Sequence, residues 1–167
     1  MNNLTNNANP AYQLSNNLSR LMREFGKDYE RRVLQELHRR GHPLVRPSHS
    51  SVFSNLGLGA VRVTELAERA QVTQQAMGKI LKELERIGYI VRDIDGSDRR
   101  AKKIRLTERG MQLVADSMDI VAEVREHYAE QAGATELDAL EAQLVRCISK
   151  IDLEYLPEAW LDPEKAA

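Results

Sequence analysis

The stretch from Val63 to Gly110, VTELAERAQVTQQAMGKILKELERIGYIVRDIDGSDRRAKKIRLTERG, constrains this chain more than any other, because helix, turn, helix and ribbon signals succeed one another without a gap. Thr64 reads as the N-cap of a first short helix, with Glu65 in its first turn and Leu66, Ala67 and Ala70 on one face. Gln71-Val72 supplies a turn. Thr73 is a second N-cap residue, and the helix it opens runs to Ile87, where Gly88 is suited to a left-handed stop. On a helical wheel Met77, Ile80, Leu81, Leu84 and Ile87 fall within about 120°, the width of one core-facing stripe.

The arc beside that stripe holds Gln74, Gln75, Gly78, Lys79 and Lys82: long amides and cations, with no acid among them. Gln pairs bidentately with adenine edges, Lys reaches guanine or phosphate, and a helix of this diameter fits the major groove of B-DNA. The same residues would equally serve as an ordinary solvated face. The ribbon next in the chain favours nucleic acid. Tyr89–Asp93 and Lys103–Leu106 are β-branched or apolar runs around a segment, Ile94 to Lys102, that contains Asp-Gly, a strong hairpin signal. Five cations occupy the seven positions from Arg99 to Arg105. On a ribbon directly after a reading helix, Arg at the tip can enter a narrow minor groove or clamp phosphates.

In these residues the chain resembles the multiple antibiotic resistance regulators, the MarR family of winged helix-turn-helix repressors. The resemblance runs from Leu14 to about Ile151 and is most specific in the wing: Asp98, Arg99, Arg100, Ala101, Lys102, Ile104, Leu106, Thr107 and Gly110 match the family's pattern. It implies a mainly α fold with a small β wing, N- and C-terminal helices forming a dimerisation region, and double-stranded DNA carrying an inverted repeat as partner. It also implies that Asp98 orients the wing and that Arg100 is the tip residue. Gly78 departs from the family's usual side chain; it either allows close approach to the DNA backbone or is neutral.

Charge is distributed accordingly. The segment 61–110 holds 12 Lys plus Arg against 8 Asp plus Glu, a balance of +4, whereas the rest holds 12 against 17, a balance of −5. Positive charge is focused on the reading segment, so binding should weaken as salt rises. A length of 167 residues suits one domain with a sizeable core. The first nine residues, with five Asn, read as a tail, and 10–167 as a single unit in which 10–60 and 111–160 are dimerisation helices and 61–110 the winged helix-turn-helix. No apolar run approaches the length of a membrane span and no leader pattern is present, so a cytoplasmic location is expected.

From Pro10 the apolar positions Leu14, Leu18, Leu21, Phe25, Tyr29, Val33 and Leu37 recur every three or four residues, predicting one long helix, bent near Gly26 and ending around Gly41 before His42-Pro43. Ser48–Leu56 predicts a short helix with Val52, Phe53 and Leu56 inward, and 60–63 a minor strand beside the wing. Thr107 is a good N-cap for a helix with a stripe of Met111, Val114, Met118, Val121, Val124 and Tyr128. Thr135 with Asp138 suggests a capping box opening a last helix with Leu137, Leu140, Leu144, Ile148 and Ile151 on its seam. Long amphipathic helices outside the reading head are most simply satisfied by a second copy, giving a homodimer. Trp160 is placed to anchor the tail.

Catalysis finds no support: there is no phosphate loop, nucleophile motif or His-Glu-x-x-His. His38, His42, His49 and His127 are expected as surface or capping residues, with no metal and no cofactor, and Cys147, beside Ile148 on the apolar seam, as a buried and inert thiol. The resemblance further implies a cleft for a small aromatic effector, with Phe25, Tyr29, His49 and Phe53 as candidate lining residues; aromatics at helical spacing serve equally as core. The expected function is a ligand-responsive repressor, not an enzyme. The rival reading is a winged helix used for protein contact without DNA.

Overall fold

The structure is a computed structural model that describes residues 9–56, 61–94, 102–151, 153 and 155. The elements in chain order are α1 (Pro10–Ser15), α2 (Leu18–Arg39), α3 (Pro47–Leu56), β1 (Val61–Arg62), α4 (Val63–Arg69), α5 (Gln74–Arg86), β2 (Ile90–Ile94), β3 (Lys102–Leu106), α6 (Glu108–Ala132) and α7 (Ala134–Ile151). The three strands form one antiparallel sheet in the order β1-β3-β2, with Val61 opposite Ile104 and Ile90 opposite Leu106. A mainly helical chain with a small three-stranded wing is thus the observed class.

Three helices end the same way. After α2, α4 and α5 the chain turns through a residue at positive φ, Gly41 (99°), Gln71 (52°) and Gly88 (83°). In each case the next amide reaches back to a carbonyl five residues earlier: His42 to Leu37, Val72 to Ala67, and Tyr89 to Leu84, all at 3.0 Å. This double-bonded stop satisfies carbonyls that the helix leaves open. Gly88 therefore acts as its sequence position suggested. Gln71 adopts the left-handed state with a side chain, its amide Nε2 donating to the Glu68 carbonyl at 2.8 Å.

The long N-terminal helix is interrupted at Asn16-Asn17, not at Gly26. Asn16 donates its side-chain amide to the Tyr12 carbonyl at 3.0 Å, and Asn17 caps α2 by accepting from the Arg20 amide at 3.0 Å. Asn side chains compete for backbone groups and so favour helix ends over interiors. Thr64 is not a cap: α4 begins one residue earlier, after Arg62, whose pairing with Lys103 already holds it extended. The capping box expected at Thr135 is absent too, since α7 starts at Ala134 and Asp138 is drawn to Arg125 of α6. Thr73 and Thr107 cap α5 and α6 as expected, accepting from the Ala76 and Gly110 amides, each at 3.1 Å.

One core joins the elements. Val52 and Leu56 of α3, Leu66 of α4, Met77, Leu81 and Leu84 of α5, Ile90 and Ile104 of the ribbon, and Leu113 and Ile120 of α6 are all buried. Each such Leu, Ile or Met stabilises by roughly 1.5–3 kcal/mol relative to exposure. Outside that core the picture reverses: Leu14, Leu18, Leu21, Met22 and Phe25 are exposed on α1 and α2, Met111, Met118 and Val121 on α6, and Leu140, Val145 and Ile151 on α7. None of the described helices is long and apolar enough to cross a membrane.

Candidate nucleic-acid interface

α5 is anchored on one side and open on the other. Met77, Leu81 and Leu84 are fully buried and Ile87 nearly so, which fixes the helix's rotation about its own axis. The opposite arc then presents Gln74, Gln75, Lys79 and Lys82, all exposed, around a half-buried Gly78. Among the described residues none of those four side chains has a hydrogen-bond or ion-pair partner. Thr73, at the head of the arc, is exposed but spends its hydroxyl oxygen as the N-cap acceptor. A Cβ built at Gly78 meets nothing within 4 Å, so no internal contact requires a glycine there.

The two acids in the C-terminal half of α5 are each matched by cations from other elements. Glu83 pairs with Arg46 at 2.8 Å and faces His49 Nε2 at 3.3 Å, while Glu85 pairs with Arg92 of β2 at 3.1 Å. Glu85 lies on the same arc as the glutamines, one turn beyond Lys82, so the face is acid-free only over its first half. Among the described residues Lys79 and Lys82, with Arg86 one turn on, have no ion-pair partner, so this arc keeps exposed positive charge.

The link between α5 and α6 explains the Leu-Thr-x-x-Gly run. The Thr107 hydroxyl donates to the Gly88 carbonyl at 2.7 Å, the Thr107 amide donates to the Tyr89 carbonyl at 3.1 Å, and Arg109 donates to the Ile87 carbonyl at 3.1 Å. The Arg109 guanidinium also lies over the Tyr89 ring, 4.6 Å from its centroid. At Gly110 an added Cβ would stand 2.1 Å from the Tyr89 carbonyl oxygen, so only glycine allows this approach. The motif thus clamps the end of α5 to the start of α6, with the ribbon between them.

On the ribbon, Arg105 pairs with Asp93 across the strands at 3.0 Å, so one of the five clustered cations is offset internally. Lys102 lies at the start of β3, its backbone opposite Ile94. Asp98, Arg99 and Arg100, the remaining wing candidates, lie outside the described residues, as do the 1–8 part of the tail and Trp160.

The four candidate lining residues fall into two groups. Phe25 and Tyr29 join Tyr128 of α6: the Tyr29 and Tyr128 rings stack at 5.6 Å, Phe25 lies 5.0 Å from Tyr128, and the Tyr29 hydroxyl donates to the Val121 carbonyl at 2.7 Å. Phe53 instead meets Tyr89 edge-on at 6.1 Å, and His49 is fully buried, its Nδ1 accepting from the Arg46 amide at 3.2 Å. No ring contact joins the two groups among the described residues. Burial pushes Tyr29 above the usual phenol range.

Two histidines correct the expectation of surface positions. His49 is 0 % exposed and His42 4 %, the latter bonded through both ring nitrogens to Tyr89 and Asp116. That bond, followed by one from Gln112, holds the Asp116 carboxyl below its ordinary range. His38 Nε2 bonds to the Val45 carbonyl at 2.8 Å. The described residues contain no group of three or more His, Cys, Asp or Glu that could hold a metal ion. Cys147 is exposed in the single chain rather than buried.

Residues 57–102, which contain α4, α5 and most of the ribbon, match the MarR family model. This segment is a MarR-family winged helix. Solved structures of similar fold agree. A MarR-family transcriptional regulator from Rhodococcus sp. RHA1 is 25% identical, with a TM-score of 0.61 over 78% of this chain and 93% of that one. MarR of E. coli in its apo form is 20% identical, with a TM-score of 0.65 over 80% and 98%. MepR of S. aureus, solved in complex with DNA, is 23% identical, with a TM-score of 0.62 over 81% and 98%. Since nearly the whole of each is covered, the MarR-like fold extends beyond the matched segment to the flanking helices.

Proposed function

We propose that this chain is a sequence-specific, double-stranded-DNA-binding transcriptional regulator that acts as a homodimer, a repressor responsive to a small aromatic ligand. The observation that carries the reading is the open arc of α5. A helix rotationally locked by three fully buried side chains turns Gln74, Gln75, Lys79 and Lys82 outward with no partner among the described residues. Long amides and cations on a fixed helix suit base edges and phosphates in a major groove. Thr73 and Gly78 complete that face, Arg99, Arg100 and Lys102 reach phosphate and minor groove from the wing, and Asp98 steadies the wing. The solved DNA complex of MepR, of the same fold, supports the assignment.

The homodimer rests on apolar side chains that the single chain leaves in water, among them Leu14 (78 % exposed), Leu18 (72 %), Met118 (70 %) and Ile151 (64 %). All lie on α1, α2, α6 and α7, outside the reading head. A two-fold pair of heads reads an inverted repeat with half-sites about 10 bp apart. A ligand regulates by preferring one head spacing, which requires different affinity for the two states. Phe25, Tyr29 and Phe53 are accessible candidates for contacting it, whereas His49 would first have to be uncovered. No cofactor is required, and the place of action is the cytoplasm.

Selection from a random duplex pool with the wild-type chain, followed by binding of Lys79→Ala and Arg100→Ala across a salt series, tests the proposal. An inverted repeat should emerge, and each variant should bind more weakly, with a salt slope reduced by about 1 for each lost phosphate contact. A winged helix devoted to protein contact would give no salt-dependent duplex binding and no effect of either substitution.

A further inference from the structure

Three side chains from three separate elements meet beneath the reading head. His42 follows α2, Tyr89 follows α5, and Asp116 stands on α6. His42 Nδ1 is 2.9 Å from the Tyr89 hydroxyl and Nε2 is 2.8 Å from Asp116 Oδ2. His42 is 4 % exposed and Tyr89 0 %. The other Asp116 oxygen accepts from Gln112 Nε2 at 2.9 Å. The remaining charges close by are Arg40, which is held by Glu123 at 2.6 Å, and Arg109 over the Tyr89 ring. An ionised carboxylate only accepts, so His42 Nε2 carries a proton towards Asp116; in the neutral ring Nδ1 is then an acceptor and the Tyr89 hydroxyl donates to it.

We propose that His42 is a positioning residue: by tying Tyr89 to Asp116 it sets the angle at which α5 is presented relative to α6, and so the match between the two reading heads and their duplex. This rests on α5 being a DNA-reading helix. Every other described polar tie at this junction, from Thr107 and Arg109, joins the end of α5 only to the first turn of α6 and the residue that caps it. The His42 tie reaches two turns farther along α6 and back to the end of α2, that is, into the helices that carry the exposed apolar surface. Gly88, at φ 83°, lies between α5 and Tyr89, so the chain reaches the joint directly from the helix stop. A buried polar chain with every member satisfied defines one arrangement and penalises others.

Tyr89→Phe isolates the effect, because it keeps the ring against Phe53 and Arg109 and removes only the hydroxyl. On the duplex that selection with the wild-type chain recovers, this variant should bind about tenfold more weakly, while affinity for random-sequence duplex stays within about twofold. Asp116→Ala should lose affinity in the same selective way, and Asp116→Asn, which keeps an acceptor for Nε2, should restore it. A role in stability alone would lower the melting temperature without this selectivity or this rescue. Wild-type affinity in both Tyr89→Phe and Asp116→Ala, or equal weakening on both duplexes, overturns the inference; if Asp116→Ala does not melt cooperatively, Tyr89→Phe decides by itself. If selection recovers no duplex, the DNA-binding reading fails instead. The joint is then judged by hydrogen exchange, where the amides from Arg86 to Ile90 must exchange at least about tenfold faster in Tyr89→Phe, and unchanged exchange overturns it.

Discussion

Ala placed at Gly110 and Ala placed at Gly78 should change stability in opposite directions, although both substitutions put the best helix former into an α-helix. At Gly78 the new methyl meets nothing within 4 Å, so the gain is the propensity difference of about 1 kcal/mol. At Gly110 the Cβ would lie 2.1 Å from the Tyr89 carbonyl oxygen, an atom that also accepts from the Thr107 amide at 3.1 Å. Backbone has to move by roughly 1 Å to relieve that contact, since attraction between non-bonded atoms begins near 3.5 Å. Overpacking against backbone costs about 2 kcal/mol, a disrupted hydrogen bond about 1 more, and the propensity gain offsets about 1, leaving a net loss near 2 kcal/mol. For a chain of 167 residues the two variants should melt about 2–4 °C above and about 4–8 °C below wild type. Urea denaturation at one fixed protein concentration checks this, with shifted midpoints and unchanged slopes. A Gly110→Ala midpoint equal to or above that of wild type would refute the claim that this glycine exists to admit the Tyr89 carbonyl.

Leu18→Glu tests the homodimer: Leu18 is 72 % exposed at the first position of α2, where an acid suits the helix dipole, so the isolated subunit should fold as before. If the side chain is buried in a two-fold interface, losing two copies at about 1.5 kcal/mol or more each weakens association by at least about 100-fold, measurable by sedimentation over a concentration series. Asp28 supplies a pH test. Tyr128, then Arg32, then Arg31 hold its carboxyl well below the usual carboxylate range. Its folded-state pKa is depressed, so its contribution is complete above the unfolded value near 4 and fades as pH falls below that. Thermal melts from pH 7 to pH 2.5 should show wild type ahead of Asp28→Asn at neutral pH and the gap narrowing only below about pH 4; a gap independent of pH would show that the carboxylate is not the source.

The features legible in the sequence are those that short-range physics writes into neighbouring residues. Thr73 and Thr107 announce helix starts because a hydroxyl needs only the amide three residues on. Gly88 announces a helix end because its backbone alone tolerates positive φ cheaply. The buried stripe of α5 and the strands β2 and β3 derive from the spacing of apolar and β-branched residues, while the Asp-Gly pair between the two strands lies outside the described residues. The failures are also local: at Asn16-Asn17 two side-chain caps outcompete the continuing apolar repeat, and at Thr64 strand pairing makes the cap unnecessary. By contrast, the His42 joint connects residues 47 and 74 positions apart, and the Glu85–Arg92 pair spans a helix stop. Nothing in the neighbouring sequence marks such contacts, so His42 reads as a residue at a helix end and Glu85 is passed over.

α6 carries more apolar surface than its own subunit buries. The stripe legible in the sequence runs through Met111, Val114, Met118, Val121, Val124 and Tyr128. In the folded chain Val124 of that stripe is buried, with Gly110, Leu113, Ile120 and Ala129 from outside it, and Val114 and Tyr128 pack partly against the core, while Met111, Met118 and Val121 are exposed. On a helical wheel the two sets are adjacent and form one apolar arc wider than a single core contact needs. An arc with one edge buried internally and the other in water is what a helix shared between a subunit's core and a second surface requires, and the exposed stripes of α1, α2 and α7 lie on elements of the same region. The exposed edge of that arc and Leu18 on α2 are both apolar surface that the single chain leaves in water, and Leu18→Glu tests whether a second copy covers it.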